Sequence, residues 1–438
     1  MDLLPKQDLS IDIENKNNYG EVHTPYKLIE RMFSLLPDSL FSDPSLKWLD
    51  PGAGRGFFSL FLFHKLLNGL AHHIPDQEAR EKHIMKNMIW MIEINDNHIE
   101  HLTSLFPAHT KPNLLNDDFL ASQKLPSFDV IIGNPPFNFG GLKKVPTNNI
   151  RNKKQDGKTV WSEFIKHSVS LLKPCGLLLF IVPSIWMKED KQGMYFYMTQ
   201  YKLHKIHCLT NTEMNGYFKG HAQTPSCYFL MEKKSTDKKV LLYDKDIQNY
   251  VEFPLRSENI IPVQCAHVLS KILPYVDKYG SLGAMIKTNL PQKHITFKTT
   301  KTKDHPFINI KTCVIKNTVQ PELVIEYSNK PCPYYNKRKL VLAHGMYGFP
   351  YIDSEGEYGI SNRDKYVYLS DNLGDLKRLQ DFLSSDLVFY LFNATRYRMK
   401  YLEKYIFMYL PNILMMREEE VTMLQDIAEL PKNKYLNI

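Results

Sequence analysis

The sequence predicts an α/β fold in which a doubly wound, mostly parallel sheet is followed by a mixed α+β domain. Through the first half of the 438-residue chain, short apolar runs alternate with amphipathic segments, as strands and helices do in parallel sheets. After residue 250 the alternation stops, and short aromatic and β-branched runs stand between Pro, Gly and Asn. These observations predict two domains, residues 1–250 and residues 251–438.

The elements follow one another in this alternating order. Thr24 and Pro25 are typical of a helix start, with Thr24 as the N-cap and Pro25 at the first helical position. Strands are predicted at residues 46–50, 88–94, 128–133, 176–183, 203–209 and 227–231, the last antiparallel, and helices at residues 57–70, 161–172 and 373–392. Asn95 is a candidate helix cap, and the charged run 232–239 predicts a linker or an exposed hairpin.

Composition is that of an ordinary globular protein, since 43% of the residues are hydrophobic and 23% are charged. No apolar run approaches the ~18–20 residues of a membrane helix, and the N-terminus does not read as a signal peptide, so we expect a cytoplasmic protein. The six cysteines are scattered singly, which predicts reduced thiols and no metal site. The net charge of +8 suits an anionic partner without requiring one.

The segment Asn134-Pro135-Pro136-Phe137 follows the apolar run 128–133, where open α/β sheets bind ligands. Its prolines have fixed φ and no N–H, so the loop offers carbonyl acceptors between an amide side chain and a flat aromatic ring. Two acceptors and a stacking face suit an exocyclic amino group on a planar ring. A rigid turn after a strand is the alternative interpretation.

A second candidate site is the glycine turn 50–56, which follows the first strand and precedes a helix. Its spacing is not G-x-G-x-x-G and no G-K-[ST] follows, which argues against a dinucleotide or polyphosphate ligand. Glu93 ends the next strand and could accept hydrogen bonds from both ribose hydroxyls. Asp118 could accept from an adenine amino group, with Phe119 as an apolar wall. The alternatives are a purely structural turn for residues 50–56, a solvated acid for Glu93 and a plain turn for Asp118.

In this order, the motifs resemble those of S-adenosylmethionine-dependent DNA adenine-N6 methyltransferases of the gamma group, in which the target-recognition domain is C-terminal. Residues 20–25 look like the family's N-terminal element, 49–58 like its glycine motif, 91–95 like its ribose-binding acid, and 118–120 and 129–137 like its adenine-binding and catalytic segments. The resemblance covers residues 19–232, and the polar stretch 64–86 looks like an insertion relative to a minimal member.

The resemblance implies a Rossmann-like methyltransferase domain with a C-terminal target-recognition domain. The implied cofactor is S-adenosyl-L-methionine, bound by Thr24, Asp50, Pro51, Gly52, Gly54, Glu93, Asp118, Phe119 and Asn134.

The implied catalytic segment is Asn134 to Phe137, acting on an adenine that is flipped out of duplex DNA. The Asn134 side-chain oxygen and the Pro135 carbonyl would accept the two N–H bonds of N6, which localises the nitrogen lone pair. The adenine would stack on Phe137, with Phe218 as the second aromatic face. A buried core aromatic is the alternative for Phe218.

Double-stranded DNA is the expected partner, because a basic loop follows the catalytic segment. The candidate DNA contacts are Phe137, Lys143, Lys144, Arg151, Lys153, Lys154, Phe218, Arg338, Arg396 and Arg398. The alternative for the basic loop is a solvated charged loop without a partner. The alternative for the second domain is that its aromatic residues pack in the protein beside the basic side chains. We expect a monomer, with a separate restriction endonuclease as a further partner.

Three functions therefore stay open at this point. The first is a site-specific DNA adenine methyltransferase, and the second is the same chemistry on an RNA adenine or a protein glutamine. The third is a non-catalytic DNA-specificity subunit with a vestigial fold. The basic, aromatic second domain favours nucleic acid, and the intact Asn134–Phe137 segment and Glu93 argue against loss of catalysis.

Overall fold

The structure, a computed structural model, describes two compact units. It covers the chain except residues 1–3, 5–6, 8, 11–12, 141–157, 190–192, 223, 257–259, 289–292, 315–321, 344–349, 363–364, 396–401 and 427–438. The first unit comprises Met1–Tyr243 and Tyr250–Leu255, and the second comprises Asp244–Asn249 and Arg256–Ile438. Within the described part of the chain, no helix has the length and apolar character needed to cross a membrane.

The first unit is built on one large sheet. Its strands are β1 (Trp48–Asp50), β2 (Ile89–Glu93), β3 (Asn113–Asn116), β4 (Phe128–Gly133), β5 (Asn138–Phe139), β6 (Lys158–Thr159), β7 (Leu172–Pro183), β8 (Tyr201–Leu209), β9 (Ser226–Ser235), β10 (Lys239–Asp244) and β11 (Asn249–Pro254). Nine of them pair in the order β11-β10-β8-β9-β7-β4-β1-β2-β3, while β5 and β6 form a separate pair.

The sheet is mostly parallel, which confirms the predicted fold class. The pairs β1–β2, β1–β4, β2–β3, β4–β7 and β8–β10 are parallel. β9 is antiparallel to both β7 and β8, as expected for residues 227–231. β1 and β4 are buried on both faces, and this explains why they read as continuous apolar runs.

The helices of the first unit are α1 (Ile13–Tyr19), α2 (Tyr26–Phe33), α3 (Phe57–Gly69), α4 (Gln77–His83), α5 (Asp96–Ser104), α6 (Trp161–Leu171), α7 (Met194–Thr199) and α8 (Asn211–Tyr217). The polar stretch 64–86 folds as the end of α3, the whole of α4 and a π-helical turn at Ile84–Met88. Asn95 caps α5 as expected, because its side chain accepts a hydrogen bond from Asn97 N.

Two local predictions in the first unit are wrong. Pro25, not Thr24, is the N-cap of α2, and the Tyr26 N–H donates to the Gln7 side-chain oxygen, with the two atoms 2.7 Å apart. The charged run 232–239 is neither a linker nor a hairpin. Its first residues continue β9, Lys239 begins β10, and β8 lies between these two strands in the sheet. The buried apolar half of β9 pairs with β7 and β8, and this pairing continues into the charged end of the strand, to Glu232 with β7 and to Ser235 with β8.

The second unit is mixed α+β. Its strands are β12 (Ile286–Lys287), β13 (Phe297–Lys298), β14 (Phe307–Val314), β15 (Glu322–Ser328), β16 (Lys339–Ala343), β17 (Tyr351–Asp353), β18 (Gly359–Ile360) and β19 (Lys365–Leu369). They form two four-stranded sheets, β12-β19-β16-β17 and β13-β15-β14-β18. The helices are α9 (Ala266–Tyr279), α10 (Leu373–Leu383), α11 (Asp386–Ala394) and α12 (Glu418–Asp426).

The single helix predicted at residues 373–392 is two helices. α10 ends at Ser384, its C-cap, and Ser385 is the N-cap of α11. The Ser385 hydroxyl donates to Phe382 O at 2.7 Å. Serine side chains bond to nearby backbone groups in this way and favour helix ends over helix interiors, which accounts for the break.

A buried ion pair joins β16 to β17 in the second unit. Lys339 donates to the carboxylate of Asp353 and to the carbonyl oxygens of Tyr334 and Lys337, at 3.1 and 3.0 Å. The Asp353 carboxylate also accepts from two backbone N–H groups, those of Glu357 and Tyr358. The side chains of Lys339 and Asp353 are both buried.

We expect Lys339→Met to lower the free energy of unfolding by about 3–5 kcal/mol, because it leaves the Asp353 charge buried without its cation. Urea unfolding of the full chain, followed by circular dichroism, measures the loss. The double variant Lys339→Met, Asp353→Asn should recover much of it. A single variant as stable as wild type would contradict a structural role for the pair.

Candidate active site

The candidate active site lies where the strand order reverses. β2 and β3 follow on one side of β1, whereas β4 lies on its other side. Open α/β sheets bind ligands at the carboxyl ends of the strands at such a point. The loops after β1 and β4 are the glycine turn and the Asn134–Phe137 segment, and a Cβ added to Gly52 would lie 3.9 Å from Pro136 Cδ. The fold thus brings both predicted motifs close together.

Glu93 closes the glycine turn from the end of β2. Its Oε2 accepts a hydrogen bond from Gly54 N at 2.7 Å, and its Oε1 accepts one from Asn95 N at 2.8 Å. Burial raises the pKa of Glu93, and these backbone donors oppose that rise. A carboxylate offers about four lone-pair sites, so these backbone bonds leave Glu93 some capacity to accept further hydrogen bonds.

Asp50 is buried under the same turn. Its Oδ2 accepts a hydrogen bond from the Ser59 hydroxyl at 2.8 Å, which ties the end of β1 to the first turn of α3. Burial raises the pKa of Asp50 to about 7, against the opposing hydrogen bonds from Ser59 and the Gly52 backbone. The hydrogen bond from Ser59 stabilises the glycine turn. The predicted contact between Asp50 and the cofactor stays a prediction.

The side-chain amide of Asn134 is held by the N-terminal segment. Its Nδ2 donates to Thr24 Oγ1 at 3.0 Å and lies 3.5 Å from the carbonyl oxygen of Val22. Thr24 is only 3% exposed, so water competes little for this bond. The structure therefore places Thr24, a predicted cofactor residue, against the predicted catalytic amide.

The rest of the catalytic loop is braced at several points along its length. Gly20 has φ +71°, and a Cβ there would lie 2.2 Å from Asn138 O, so only glycine permits this approach. Gly140 N donates to Asn18 O at 3.1 Å. On the other side, Val160 N donates to Phe137 O at 3.2 Å, and β5 pairs with β6. These contacts fix the backbone on both sides of Phe137.

Asp118 and Phe119 follow β3, as the sequence indicates. Asp118 is exposed, and its Oδ1 accepts from Leu120 N at 2.9 Å, which is the bond of a plain turn. The Phe119 ring is buried, with its centroid 5.1 Å from that of Phe164 and 4.6 Å from that of His167. Their contact with an adenine ring stays a prediction.

Phe218, predicted as the second stacking face for the target base, is buried in this structure. Phe218 is the C-cap residue of α8, is only 4% exposed, and belongs to the hydrophobic core that also contains Met214 and Leu209. Little of its ring is therefore accessible to a ligand in this structure. This burial favours the alternative interpretation, a core aromatic, and a contact of Phe218 with the base stays a prediction.

Most of the predicted DNA contacts lie outside the described residues. These are Lys143, Lys144, Arg151, Lys153, Lys154, Arg396 and Arg398. Arg338 is described and exposed, and its guanidinium donates to Asp371 O at 3.2 Å. Phe137 is partly buried beside the braced loop.

Three ionisable residues next to the site were not singled out from the sequence. Glu21 Oε1 lies 3.4 Å from Nε2 of both His23 and His98. His98 Nδ1 lies 3.9 Å from Glu93 Oε1, and burial, with help from Arg55, lowers the pKa of His98. His98 stands three residues after the α5 cap, a spacing that could have placed it near Glu93 once the helix was predicted.

The first unit contains a segment that matches a protein family. Residues 14–214 match the family model described as Eco57I restriction-modification methylase, just under half of the chain. The resemblance inferred from the motifs is thereby confirmed for this segment.

Individual relatives match over shorter stretches. An uncharacterized adenine-specific methylase of Mycoplasma pneumoniae is 41% identical over 90 residues, which cover 20% of this chain and 21% of that protein. The type II methyltransferase M.TthHB8I of Thermus thermophilus is 36% identical over 84 residues, which cover 17% of this chain and 20% of that protein. The chain therefore aligns with about a fifth of the length of these curated relatives.

Among solved structures, the type IIL restriction-modification enzyme MmeI in complex with DNA aligns with 95% of this chain and 71% of its own. The TM-score is 0.49 and the sequence identity is 12%.

The raised pKa of Asp50 predicts a pH-dependent stability. Folded Asp50 keeps its proton up to a pH of about 7, whereas the unfolded residue loses it near 3.8, so stability falls as pH rises between these values and then levels off. Relative to Asp50→Asn, the wild type should lose at most about 4 kcal/mol of unfolding free energy across this window. Urea unfolding at pH 4 to 8 gives the difference, and a pH-independent difference would contradict the assignment.

Proposed function

We propose that this chain is a site-specific DNA methyltransferase that transfers a methyl group from S-adenosyl-L-methionine to N6 of an adenine flipped out of duplex DNA. The observation that carries the proposal is the Asn134 amide, held by Thr24 at the carboxyl end of β4 beside the glycine turn. The match of residues 14–214 to restriction-modification methylases and the adenine-specific relative support it.

The residues of the cofactor pocket fit S-adenosyl-L-methionine. Glu93 is pre-positioned by Gly54 N and Asn95 N, and its remaining lone pairs suit two ribose hydroxyls. Beside Gly54, the space that a Cβ would fill is open to 4 Å among the described residues, which leaves the backbone accessible to a ligand. When bound, this cofactor supplies an electrophilic methyl group on a cationic sulfur.

The catalytic loop contributes acceptors and position, not a base. The Asn134 Oδ1 and the Pro135 carbonyl would accept the two N6–H bonds, so that the nitrogen lone pair is localised out of the ring system. Phe137 would stack on the adenine face and fix its plane. The nitrogen becomes acidic as it forms its fourth bond, so its proton can pass to solvent without a strongly basic side chain. The work of the loop is therefore orientation of the amino group.

Duplex DNA is the proposed substrate for reasons of charge and composition. The chain carries a net charge of +8, and Lys143, Lys144, Arg151, Lys153 and Lys154 follow the catalytic segment directly. The second unit, which we propose as the target-recognition domain, adds Arg338, Arg396 and Arg398 among tyrosines. Basic side chains position DNA through its phosphates, and aromatic residues stack on bases. A monomeric state and a separate restriction endonuclease stay predictions.

We expect Asn134→Ala to lower the turnover number by about 10²–10³-fold, by analogy with the loss of one transition-state hydrogen bond, while cofactor affinity stays near wild type. Labelled S-adenosyl-L-methionine and duplex DNA, followed by nucleoside analysis, measure turnover, and calorimetry measures cofactor binding. Asn87→Ala, an exposed asparagine on the surface of the same unit, is the matched control and should keep full activity.

Full activity of Asn134→Ala would rule out the mechanism. Label found only in RNA or in protein with the wild-type enzyme would instead move the reaction to another substrate. A wild-type protein that binds DNA but fails to bind the cofactor would identify a non-catalytic specificity subunit.

DNA affinity should depend strongly on salt, because phosphate contacts release condensed counterions. With about six phosphate contacts, affinity is expected to fall about 10³-fold between 50 and 200 mM salt. Fluorescence anisotropy with a labelled duplex measures the slope. Binding that does not change with salt would argue against a basic DNA-binding surface.

A further inference from the structure

The bond between Thr24 and Asn134 gives Thr24 a role that differs from the one its sequence motif implies. We propose that Thr24 is a positioning residue that anchors the Asn134 side chain so that Oδ1 is presented to the substrate, and that Gln7 holds Thr24 in place. The inference rests on the proposed function, and it identifies two residues on which the reaction depends indirectly.

The orientation of this amide is decisive for the proposed chemistry. An asparagine side chain carries an acceptor oxygen and a two-hydrogen donor nitrogen of almost equal size. A 180° turn of the amide exchanges the two groups at almost no steric cost. With Nδ2 facing the substrate, donor would meet donor at the adenine amino group, and the lone pair would not be localised. The neighbours of the amide must therefore set its orientation.

Two neighbours do so from the N-terminal segment. The Val22 carbonyl oxygen, 3.5 Å from Nδ2, can only accept, so it disfavours the flipped amide, in which two oxygens would face each other. The Thr24 hydroxyl, 3.0 Å from Nδ2, makes the shorter bond and anchors the amide. The Val22 carbonyl thus selects the orientation, and the Thr24 hydroxyl holds the side chain in it.

Gln7 leaves the Thr24 hydroxyl available for this bond. A threonine just before a helix commonly caps that helix with its side chain. Here the Gln7 Oε1 accepts from Tyr26 N at 2.7 Å instead, and the Gln7 Nε2 donates to Thr24 O at 3.1 Å. The Gln7 side chain therefore accepts from a backbone N–H at the start of α2 and also donates to the Thr24 backbone. The hydroxyl of Thr24 points to Asn134 and not into its own helix.

The same segment also holds the far end of the catalytic loop. Gly20 lies so close to Asn138 O that a Cβ would come within 2.2 Å of it, and Pro136 Cβ would be 3.2 Å away. The segment from Gly20 to Tyr26 therefore runs along the loop from residue 138 back to residue 134. The position of Thr24 relative to Asn134 is fixed by this packing as well as by Gln7.

Thr24→Val tests the proposal, because valine has the shape of threonine without the hydroxyl. We expect its turnover number to fall by about 10–100-fold, the equivalent of one buried hydrogen bond, with the cofactor Kd changed by less than about threefold. Thr24→Ser keeps the hydroxyl and should stay within about threefold of wild type in turnover. Gln7→Ala should lower turnover in the same direction by a smaller factor.

The measurements are steady-state turnover on duplex DNA, cofactor Kd by calorimetry and the midpoint of thermal unfolding, all on the full chain. An unchanged turnover in Thr24→Val overturns the proposal. A cofactor Kd that rises about tenfold while turnover at saturating cofactor is kept also overturns it, because Thr24 would then act as a cofactor contact. A Thr24→Ser variant as slow as Thr24→Val would show that packing, not the hydroxyl, matters, and would equally overturn it.

Failure of the proposed function gives a different result. In that case the wild-type protein itself forms no N6-methyladenine in duplex DNA, and both the function and this inference are lost. Failure of the inference alone appears in an active wild type whose Thr24→Val variant turns over at the same rate.

Discussion

The pairing of β1 with β4 is the constraint on which the candidate site depends. These neighbouring parallel strands place the glycine turn and the Asn134–Phe137 loop at the same edge of the sheet, and the strand order reverses there. A slip of one residue in either strand would move every side chain to the opposite face. Because both strands are buried on both faces, packing specifies their register strongly. The proximity of Gly52 to Pro136 follows from that register.

Around this edge, the first unit buries groups that prefer water. Asp50, Glu93 and His98 are all shielded from solvent. Burial raises the pKa of the two acids and lowers the pKa of His98, so it favours the neutral form of each residue. Backbone N–H groups and the Ser59 hydroxyl offset part of that cost. A site built to hold a polar ligand needs such pre-oriented acceptors, and shifted pKa values are common at functional sites for this reason.

In the second unit, clustered polar groups have a structural role. The ligand-type atoms of Asp244, Asp246 and His267 lie within 4.8 Å of one another. However, Asp244 accepts from both His267 N and His267 Nδ1, and the Tyr390 hydroxyl donates to Asp246. These bonds account for the cluster as an anchor for the start of α9. Lys339 and Asp353 similarly satisfy each other inside the sheet of β16 and β17.

The sequence by itself determined the sheet, its parallel strands and the two motifs at its edge, because buried parallel strands and glycine turns leave local patterns of apolar and special residues. Only the tertiary structure decided which side chains meet there. Thr24 and Asn134 are 110 positions apart, and Gln7 takes the capping role that local pattern assigned to Thr24. Phe218 is buried because α8 packs on the sheet, a fact of long-range packing that a single aromatic in a sequence does not encode.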